Sequence, residues 1–226
     1  MNKASTKVAI VIQARSGSQR CKNKMLRKFA NSCLFEIQIK KFSDFESKYG
    51  HKVYAAVGEE SFYKIIEKYN SVNLIRRDNK SISSDKINDV FNYLNKIEED
   101  YICFVNSCTP LLLINTVNEA INVYFATNSA SLTSVLNKHT WFYDHLFQPL
   151  NSNSSGNTKD LDVIYECTHN FHIFKKNYFL EHYKYWDNSN KNPYLFKVSL
   201  TEALDIDTEE EFTFVEKVYT ALNNLP

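Results

Sequence analysis

A cationic loop near the start of the chain is the first feature that could perform chemistry. Residues 13–24 read QARSGSQRCKNK and contain one glycine, two serines and four cations. The loop follows a predicted strand, and the loop after the first strand of an open α/β sheet lies at the edge where ligands bind. Its backbone N–H groups can hold phosphate oxygens, while arginine and lysine neutralise their charge. The composition therefore predicts a triphosphate site, and an ordinary solvated basic loop is the alternative.

A pair of acidic residues near the other end could hold a metal ion. Asp205 and Asp207 flank one apolar residue in EALDIDTEEEF. In extended structure residues two apart face the same side, so both carboxylates can bind one hard divalent cation, with Mg²⁺ the expected ion. The alternative is that Asp207 or Thr208 caps the next helix, whose N-terminal dipole the glutamates at 209–211 would complement.

The first 137 residues show the alternation that should position these groups. Short β-branched runs alternate with longer amphipathic segments, the pattern of βαβ units in a parallel sheet. The predicted strands are residues 7–13, 52–57, 73–76, 101–106 and 130–136. The predicted helices are residues 32–42, 60–69, 85–96 and 116–127. No G-x-G-x-x-G or P-loop pattern occurs, so dinucleotide and P-loop chemistry have no support.

The alternation stops after Asn137. An aromatic and polar stretch follows, and we interpret residues 138–172 as a hairpin-like insertion within a single domain, residues 1–226. Strands at 165–174 and 194–199 and helices at 177–186 and from about residue 208 complete the prediction. The fold class expected is α/β, a three-layer Rossmann-like open sheet that is mainly parallel.

Composition limits the partners and the location. The 27 basic and 26 acidic side chains nearly cancel to +1, so nothing favours non-specific binding to nucleic acid or anionic lipid. The apolar runs are far shorter than the roughly 20 residues that span a bilayer, and the start is not typical of a signal peptide. We expect a cytoplasmic protein with small-molecule partners. The five cysteines form no C-x-x-C pair and fit reduced thiols.

Four motifs in this order resemble those of the acylneuraminate cytidylyltransferases, the family of CMP-sialic acid synthetases and their relatives. AIVIQARSGSQRCKNKML is similar to an N-terminal ARxGSKRxPxKN signature, and EALDIDTEEEF is similar to a late DIDTEEDF. Between them, FVNSCTPL resembles an LQPTSPL strand end, and residues 84–90 take the place of an SDTAS segment. The resemblance extends from residue 8 to residue 212, nearly the whole chain.

The resemblance implies roles for individual residues. Arg15 and Lys24 match triphosphate-binding cations, and Asp205 and Asp207 match the pair that holds Mg²⁺. The catalytic residues it implies are Arg15, Lys24 and Asp207. The nucleotide-binding residues it implies are Ala14, Arg15, Ser16, Gly17, Ser18, Asn23, Lys24, Arg76, Arg77 and Asp85. The residues it implies for the substrate are Asn106, Glu166 and Asn170.

The activity implied is transfer of CMP from CTP to an acidic, sialic-acid-like (nonulosonic) sugar, with release of pyrophosphate, for synthesis of a surface polysaccharide such as a capsule. The fold implied is GT-A-like, and the aromatic insertion implies a homodimer. Lys22, Met25 and Ser107 depart from the family pattern, and Gln13 is similar to a spore-coat polysaccharide branch. These departures leave the acceptor open, so a phosphorylated or phosphonate acceptor is the alternative.

Two hypotheses of other classes are also open. A GT-A glycosyltransferase binds nucleotide diphosphates through a D-x-D motif and Mg²⁺, but its motif normally ends a central strand. A non-catalytic nucleotide-binding module would bind without turnover. His172 occupies a position where the family has tyrosine, and a buried structural role is favoured for it over a catalytic one.

Overall fold

The computed structural model describes residues 6–152, 156–189 and 192–224. The strands are β1 Val8–Gln13, β2 Lys28–Phe29, β3 Ser32–Cys33, β4 Val53–Val57, β5 Val72–Arg76, β6 Tyr101–Asn106, β7 Ser131–Lys138, β8 Ile164–Lys175 and β9 Tyr194–Lys197. The helices are α1 Leu34–Phe42, α2 Phe45–Tyr49, α3 Glu60–Ile66, α4 Asn79–Ser83, α5 Ile87–Val90, α6 Ile114–Ala126, α7 Lys176–His182 and α8 Glu209–Leu222. Two 3₁₀ turns span Asn92–Lys96 and Thr158–Asp160.

Seven strands form the central sheet, in the order β5-β4-β1-β6-β8-β7-β9. The pairs β5–β4, β4–β1, β1–β6 and β7–β9 are parallel, whereas β8 runs antiparallel to both β6 and β7. The prediction of an open, mainly parallel α/β sheet is confirmed. The remaining strands, β2 and β3, pair in a separate small hairpin.

The sheet is the middle of three layers, because alternate side chains of its strands enter two different cores. Val8, Ile10 and Ile12 of β1 face the larger core, which contains buried side chains of α1, α3, α6 and α8. Ala9 and Val11 face the smaller core, which is covered by the 3₁₀ turn after α5 and by α7. Burial on both faces explains why these strands are nearly continuous apolar runs.

The predicted helix at 85–96 differs from the structure. That segment contains the four-residue α5 and then a 3₁₀ turn. Phe91, Tyr93 and Leu94 are its buried apolar residues. Phe91 and Leu94 are three residues apart, and a 3₁₀-helix, which has three residues per turn, places such residues on the same side. The helix predicted to continue to residue 186 ends at His182, where Tyr183 takes a left-handed backbone conformation with φ 51°.

The predicted insertion, 138–172, includes part of the central sheet. β7 continues to Lys138, and β8 begins at Ile164, so residues 139–163 connect the two strands outside the sheet. Residues 153–155 lie outside the described part of the chain. Several large apolar side chains of this connection are exposed: Tyr143 (59%), Leu146 (64%), Phe147 (85%) and Leu150 (61%).

Within the described residues, no helix is both long and apolar enough to cross a lipid bilayer.

Candidate functional site

A cleft of about 430 Å³ opens at the carboxyl end of β1. The loop after β1 supplies most of its walls, and Asp85, Cys108 and Asp207 complete it from three other segments. The carboxyl edge of a parallel sheet is where ligands bind in open α/β folds. The cleft therefore contains both the cationic loop and one acid of the late pair.

Lys24 joins the two ends of the chain at this cleft. Its side chain is only 10% exposed, and its Nζ donates to the backbone oxygen of Ile206 at 2.5 Å and to Oδ1 of Asp207 at 3.0 Å. Burial lowers the pKa of Lys24, but the neighbouring Cys108 and Asp207 outweigh this effect and raise the pKa above its usual value. The cation and the late acid pair thus meet, as the sequence predicts.

Arg20 also contacts the carboxylate of Asp207, in addition to Lys24. Its guanidinium donates to Oδ2 of Asp207 at 2.7 Å, so both oxygens of this carboxylate accept from cations. Burial raises the pKa of Asp207, but Lys24 and Arg20 outweigh this, and the pKa lies below the usual value. The sequence prediction did not include Arg20 among the site residues, although it lies in the cationic loop.

Asp205 has a different environment. Its Oδ1 accepts from the backbone N–H of Ile206 at 2.8 Å, and its Oδ2 accepts from Nδ2 of Asn106 at 3.3 Å. Burial and the nearby charge of Asp207 raise its pKa. A cation shared by the two carboxylates would relieve both effects.

The donor set suits Mg²⁺. Asp205 and Asp207 offer hard carboxylate oxygens, and the described part of the chain contains no cluster of three or more His, Cys, Asp or Glu side chains able to enclose a metal. Mg²⁺ typically binds through one or two carboxylates together with substrate phosphates and water. The two acids therefore fit a metal that arrives with a nucleotide.

The helix after the acid pair is capped by Thr208. Its side chain accepts from the N–H of Glu211, while Glu211 accepts from the N–H of Thr208, which forms a capping box. Of the two capping residues considered from the sequence, Thr208 has this role. The carboxylate of Asp207 is therefore not used for capping, and Asp207 lines the cleft.

Arg15 lies apart from the acid pair. Its guanidinium is 4.0 Å from the carboxylate of Asp85, and it donates to the backbone oxygen of Ile82 at 3.5 Å. Both side chains are exposed, at 43% for Arg15 and 97% for Asp85, so this contact is weak and readily rearranged.

Glu59, the residue before α3, holds the cationic loop in place and was not predicted from the sequence. Its Oε1 accepts from the backbone N–H of Ser16 at 2.8 Å and from the Ser16 hydroxyl at 2.6 Å. Gly17, which follows Ser16 in the loop, is exposed, and Ser18 lines the cleft. Asn23 forms the turn before Lys24 with φ 52°, a conformation that asparagine tolerates.

The two adjacent arginines have different positions. Arg77 is 5% exposed and donates to the backbone oxygen of Ala14 at 3.3 Å and to the Ser81 hydroxyl at 2.9 Å. It therefore fastens the start of the cationic loop to α4. Arg76 is exposed, and its guanidinium lies 5.0 Å from the ring centroid of Tyr63.

The predicted substrate residues are not brought together. Asn106 contacts Asp205 and accepts from the N–H of Cys108 at 2.9 Å, so it lies beside the acid pair. Glu166 is exposed and pairs with Lys138 at 2.8 Å, and it is not among the residues that line the cleft. Asn170 is fully buried, and its Nδ2 donates to the backbone oxygen of Glu202, which supports the segment before the acid pair.

A family model described as "Cytidylyltransferase" matches residues 9–223. The chain belongs to this family. No similar protein is found among curated sequences.

Solved structures with the same fold include three that bear on this cytidylyltransferase. CMP:2-keto-3-deoxy-manno-octonic acid synthetase complexed with CTP has a TM-score of 0.67 and 13% identity, and the match covers 96% of this chain and 99% of the other. The 4-diphosphocytidyl-2C-methyl-D-erythritol synthase of Anaerococcus prevotii gives 0.66 and 11%, with 95% and 99% covered. The bifunctional IspDF of Campylobacter jejuni gives 0.59 and 13%, with 92% and 53% covered.

These matches support a CTP-dependent nucleotidyltransferase, not a glycosyltransferase or a non-catalytic module. The cytidylyltransferase brings Lys24, Arg20 and Asp207 together at one edge of its sheet. This arrangement can neutralise phosphates on one side and hold a metal on the other. Membership of the acylneuraminate branch stays a prediction.

Proposed function

We propose that this cytidylyltransferase transfers CMP from CTP to an acidic, sialic-acid-like sugar with release of pyrophosphate, for synthesis of a surface polysaccharide. One observation carries the proposal: Lys24 and Arg20 from the first loop meet Asp207 in the same cleft, with Asp205 beside it. Cations for a triphosphate and carboxylates for its metal are then available to one bound nucleotide.

In the proposed reaction an acceptor oxygen attacks the α-phosphorus of CTP, and pyrophosphate leaves. Catalysis of such a transfer depends mainly on alignment and on neutralising charge. Asp205 and Asp207 would hold Mg²⁺, which supplies positive charge to the phosphate oxygens. Lys24 and Arg20 would exchange Asp207 for phosphate oxygens, and Ser18 would orient them from the loop.

The acceptor would lie on the Asn106 side of the acid pair. His169 is close enough to Asp205 for the carboxylate charge to help raise its pKa, although a hydrogen bond with Cys167 is the larger cause. An imidazole near the acid pair that can donate a hydrogen bond suits an acceptor that carries a carboxylate. The similarity to a synthetase whose name specifies an octonic acid agrees with this choice.

A second candidate retains CTP and replaces the acidic sugar with a phosphorylated or phosphonate acceptor. The fold is about equally similar to a diphosphocytidyl-methyl-erythritol synthase, whose name specifies an erythritol and no acidic sugar. Both candidates assign the same roles to the cleft, so only the acceptor distinguishes them.

A pyrophosphate-release screen tests both candidates. Four nucleotides would be tested with Mg²⁺ against a panel of nonulosonic acids and phosphorylated metabolites. We expect release with CTP and a nonulosonic acid, and none from the Asp205→Asn variant. Release only with a phosphorylated acceptor would establish the second candidate. Absence of release with every combination of nucleotide and acceptor would reject both.

We also propose that the protein is a cytoplasmic homodimer that uses the connection between β7 and β8. Phe147 is 85% exposed and lies near other exposed apolar side chains, a composition typical of interfaces. Light scattering should give twice the monomer mass of 26.4 kDa. Phe147→Glu should lower that mass, and a wild-type monomer at micromolar concentration would contradict the proposal.

A further inference from the structure

A glutamine on α1 contacts the segment at the end of β6, residues 106–109, which we call the β6 loop. Gln38 is fully buried. Its Nε2 donates to the backbone oxygen of Thr109 at 2.8 Å and to that of Asn106 at 3.3 Å. One side chain therefore holds both ends of the β6 loop.

The β6 loop in turn contacts the segment that carries the acid pair. Nδ2 of Asn106 donates to Oδ2 of Asp205 at 3.3 Å. The backbone oxygen of Cys108 accepts from the N–H of Ile206, the residue between the two acids, at 3.2 Å. The position of Asp205 therefore depends on the position of the β6 loop.

The β6 loop also contacts the end of β1, where the cationic loop begins. The Ser107 hydroxyl donates to the backbone oxygen of Gln13. The loop thus connects the two halves of the cleft, the cations on one side and the acids on the other. Because Gln38 holds this loop on α1, a helix that forms no wall of the cleft can influence both halves.

Stability does not explain an amide at this position. The backbone oxygen of Asn106 also accepts from Oγ1 of Thr109 at 2.9 Å, and that of Thr109 also accepts from the N–H of Leu112 at 3.2 Å. Each carbonyl would therefore keep a donor without Gln38. Oε1 of Gln38 is buried and has no hydrogen-bond partner within the described residues. A buried polar atom without a partner costs free energy, so an apolar side chain of the same length would be at least as stable here.

We propose that Gln38 is a positioning residue for the metal-binding acids. By holding both ends of the β6 loop, it fixes the place from which Asn106 orients the carboxylate of Asp205. Groups that orient the ligands of a metal contribute to the affinity for that metal without touching it. The inference rests on the proposed binding of Mg²⁺ by Asp205 and Asp207.

Binding of CTP to the full-length Gln38→Met variant tests the proposal without any acceptor. Isothermal titration calorimetry would be performed once with Mg²⁺ and once with EDTA. Methionine has a similar length and cannot donate, so two hydrogen bonds to the loop are lost. We expect Mg·CTP to bind about three- to tenfold more weakly, the equivalent of an ordinary hydrogen bond. CTP in EDTA should bind as it does to the wild type. The urea midpoint should stay the same or rise, because the unpartnered Oε1 is removed.

Ile39→Val is the matched control, because Ile39 is the next residue of α1 and is fully buried in the larger core. It should lower the urea midpoint and leave the binding of Mg·CTP unchanged. A double-mutant cycle tests the route of the effect. Gln38→Met should weaken binding less in an Asn106→Ala background than in the wild type, because Gln38 acts through Asn106.

The same measurements separate failure of this inference from failure of the metal site. Wild-type affinity for Mg·CTP in Gln38→Met, an equal loss with EDTA, or an equal loss in Ile39→Val would overturn the role of Gln38. Each of these results leaves the metal site standing if Asp205→Asn weakens the binding of Mg·CTP. Unchanged binding in Asp205→Asn would reject the metal site and with it the role of Gln38.

Discussion

Replacing Lys24 with methionine would separate the ammonium from the packing of its stem. Methionine is similarly long and unbranched, so the apolar contacts of the buried stem are largely kept. The two hydrogen bonds of Nζ, to Ile206 and Asp207, are lost. The variant therefore removes one charge from the junction between the first loop and the acid pair.

The structure predicts a modest effect on stability and a larger one on nucleotide binding. The Ile206 carbonyl loses this donor, which costs about 1–3 kcal/mol, while removal of a buried cation offsets part of that. We expect a net loss of about 1–2 kcal/mol in the free energy of unfolding. A hydrogen bond to a charged group contributes about 1.5–3 kcal/mol, so Mg·CTP should bind about ten- to a hundredfold more weakly.

Isothermal titration calorimetry with Mg·CTP would measure the binding, and urea unfolding would measure the stability. Lys22→Met is the matched control, because Lys22 lies in the same loop and is exposed. The control should bind Mg·CTP within about twofold of the wild type, since screened surface charges contribute little. Equal loss in both variants, or wild-type affinity in Lys24→Met, would refute the assignment of Lys24 to the phosphates.

Two further predictions concern stability. The unfolded chain binds a proton at residue 172 below about pH 6.5, whereas the folded His172 has a pKa of about 3. The free energy of unfolding should therefore fall as the pH drops from about 6.5 towards 3, by up to about 1.4 kcal/mol per pH unit. Denaturation at two pH values should show a smaller fall in His172→Phe, and an equal fall would contradict this cause. Phe29→Ala should cost about 3–5 kcal/mol, because Phe29 is fully buried against Phe212 of α8. Phe214→Ala, on the exposed side of α8, should change the urea midpoint little, and similar losses in both would disprove the packing argument.

Much of the sheet could be predicted from the sequence, since parallel strands buried on both faces are continuous apolar runs. The predicted strands 52–57 and 101–106 agree with β4 and β6 to within one residue. The direction of β8 could not be predicted, because a hydrophobic pattern shows which faces are buried and not which neighbour a strand pairs with. For the same reason the insertion was predicted too long at its C-terminal end.

The site was predicted in part. The meeting of Lys24 with Asp207 follows from two motifs whose charges are complementary. Glu59 gave no signal, because a single glutamate after a strand is common on any helical N-terminus. Asn170 was assigned to the substrate by resemblance, but its place in the middle of β8 buries it completely. Similarity of a motif indicates which position of the chain is equivalent. It does not indicate how deeply the side chain at that position is buried in this protein.

The contact between Lys24 and Asp207 links residues that are 183 positions apart in the chain. A nascent chain emerging from a ribosome has Lys24 long before it has Asp207, so the nucleotide site cannot form until the chain has been synthesised beyond residue 207. Any ligand that binds this site binds only the fully assembled protein and shifts the folding equilibrium towards it. Binding of Mg·CTP would thus serve as a direct measure of the fraction of molecules that have completed folding.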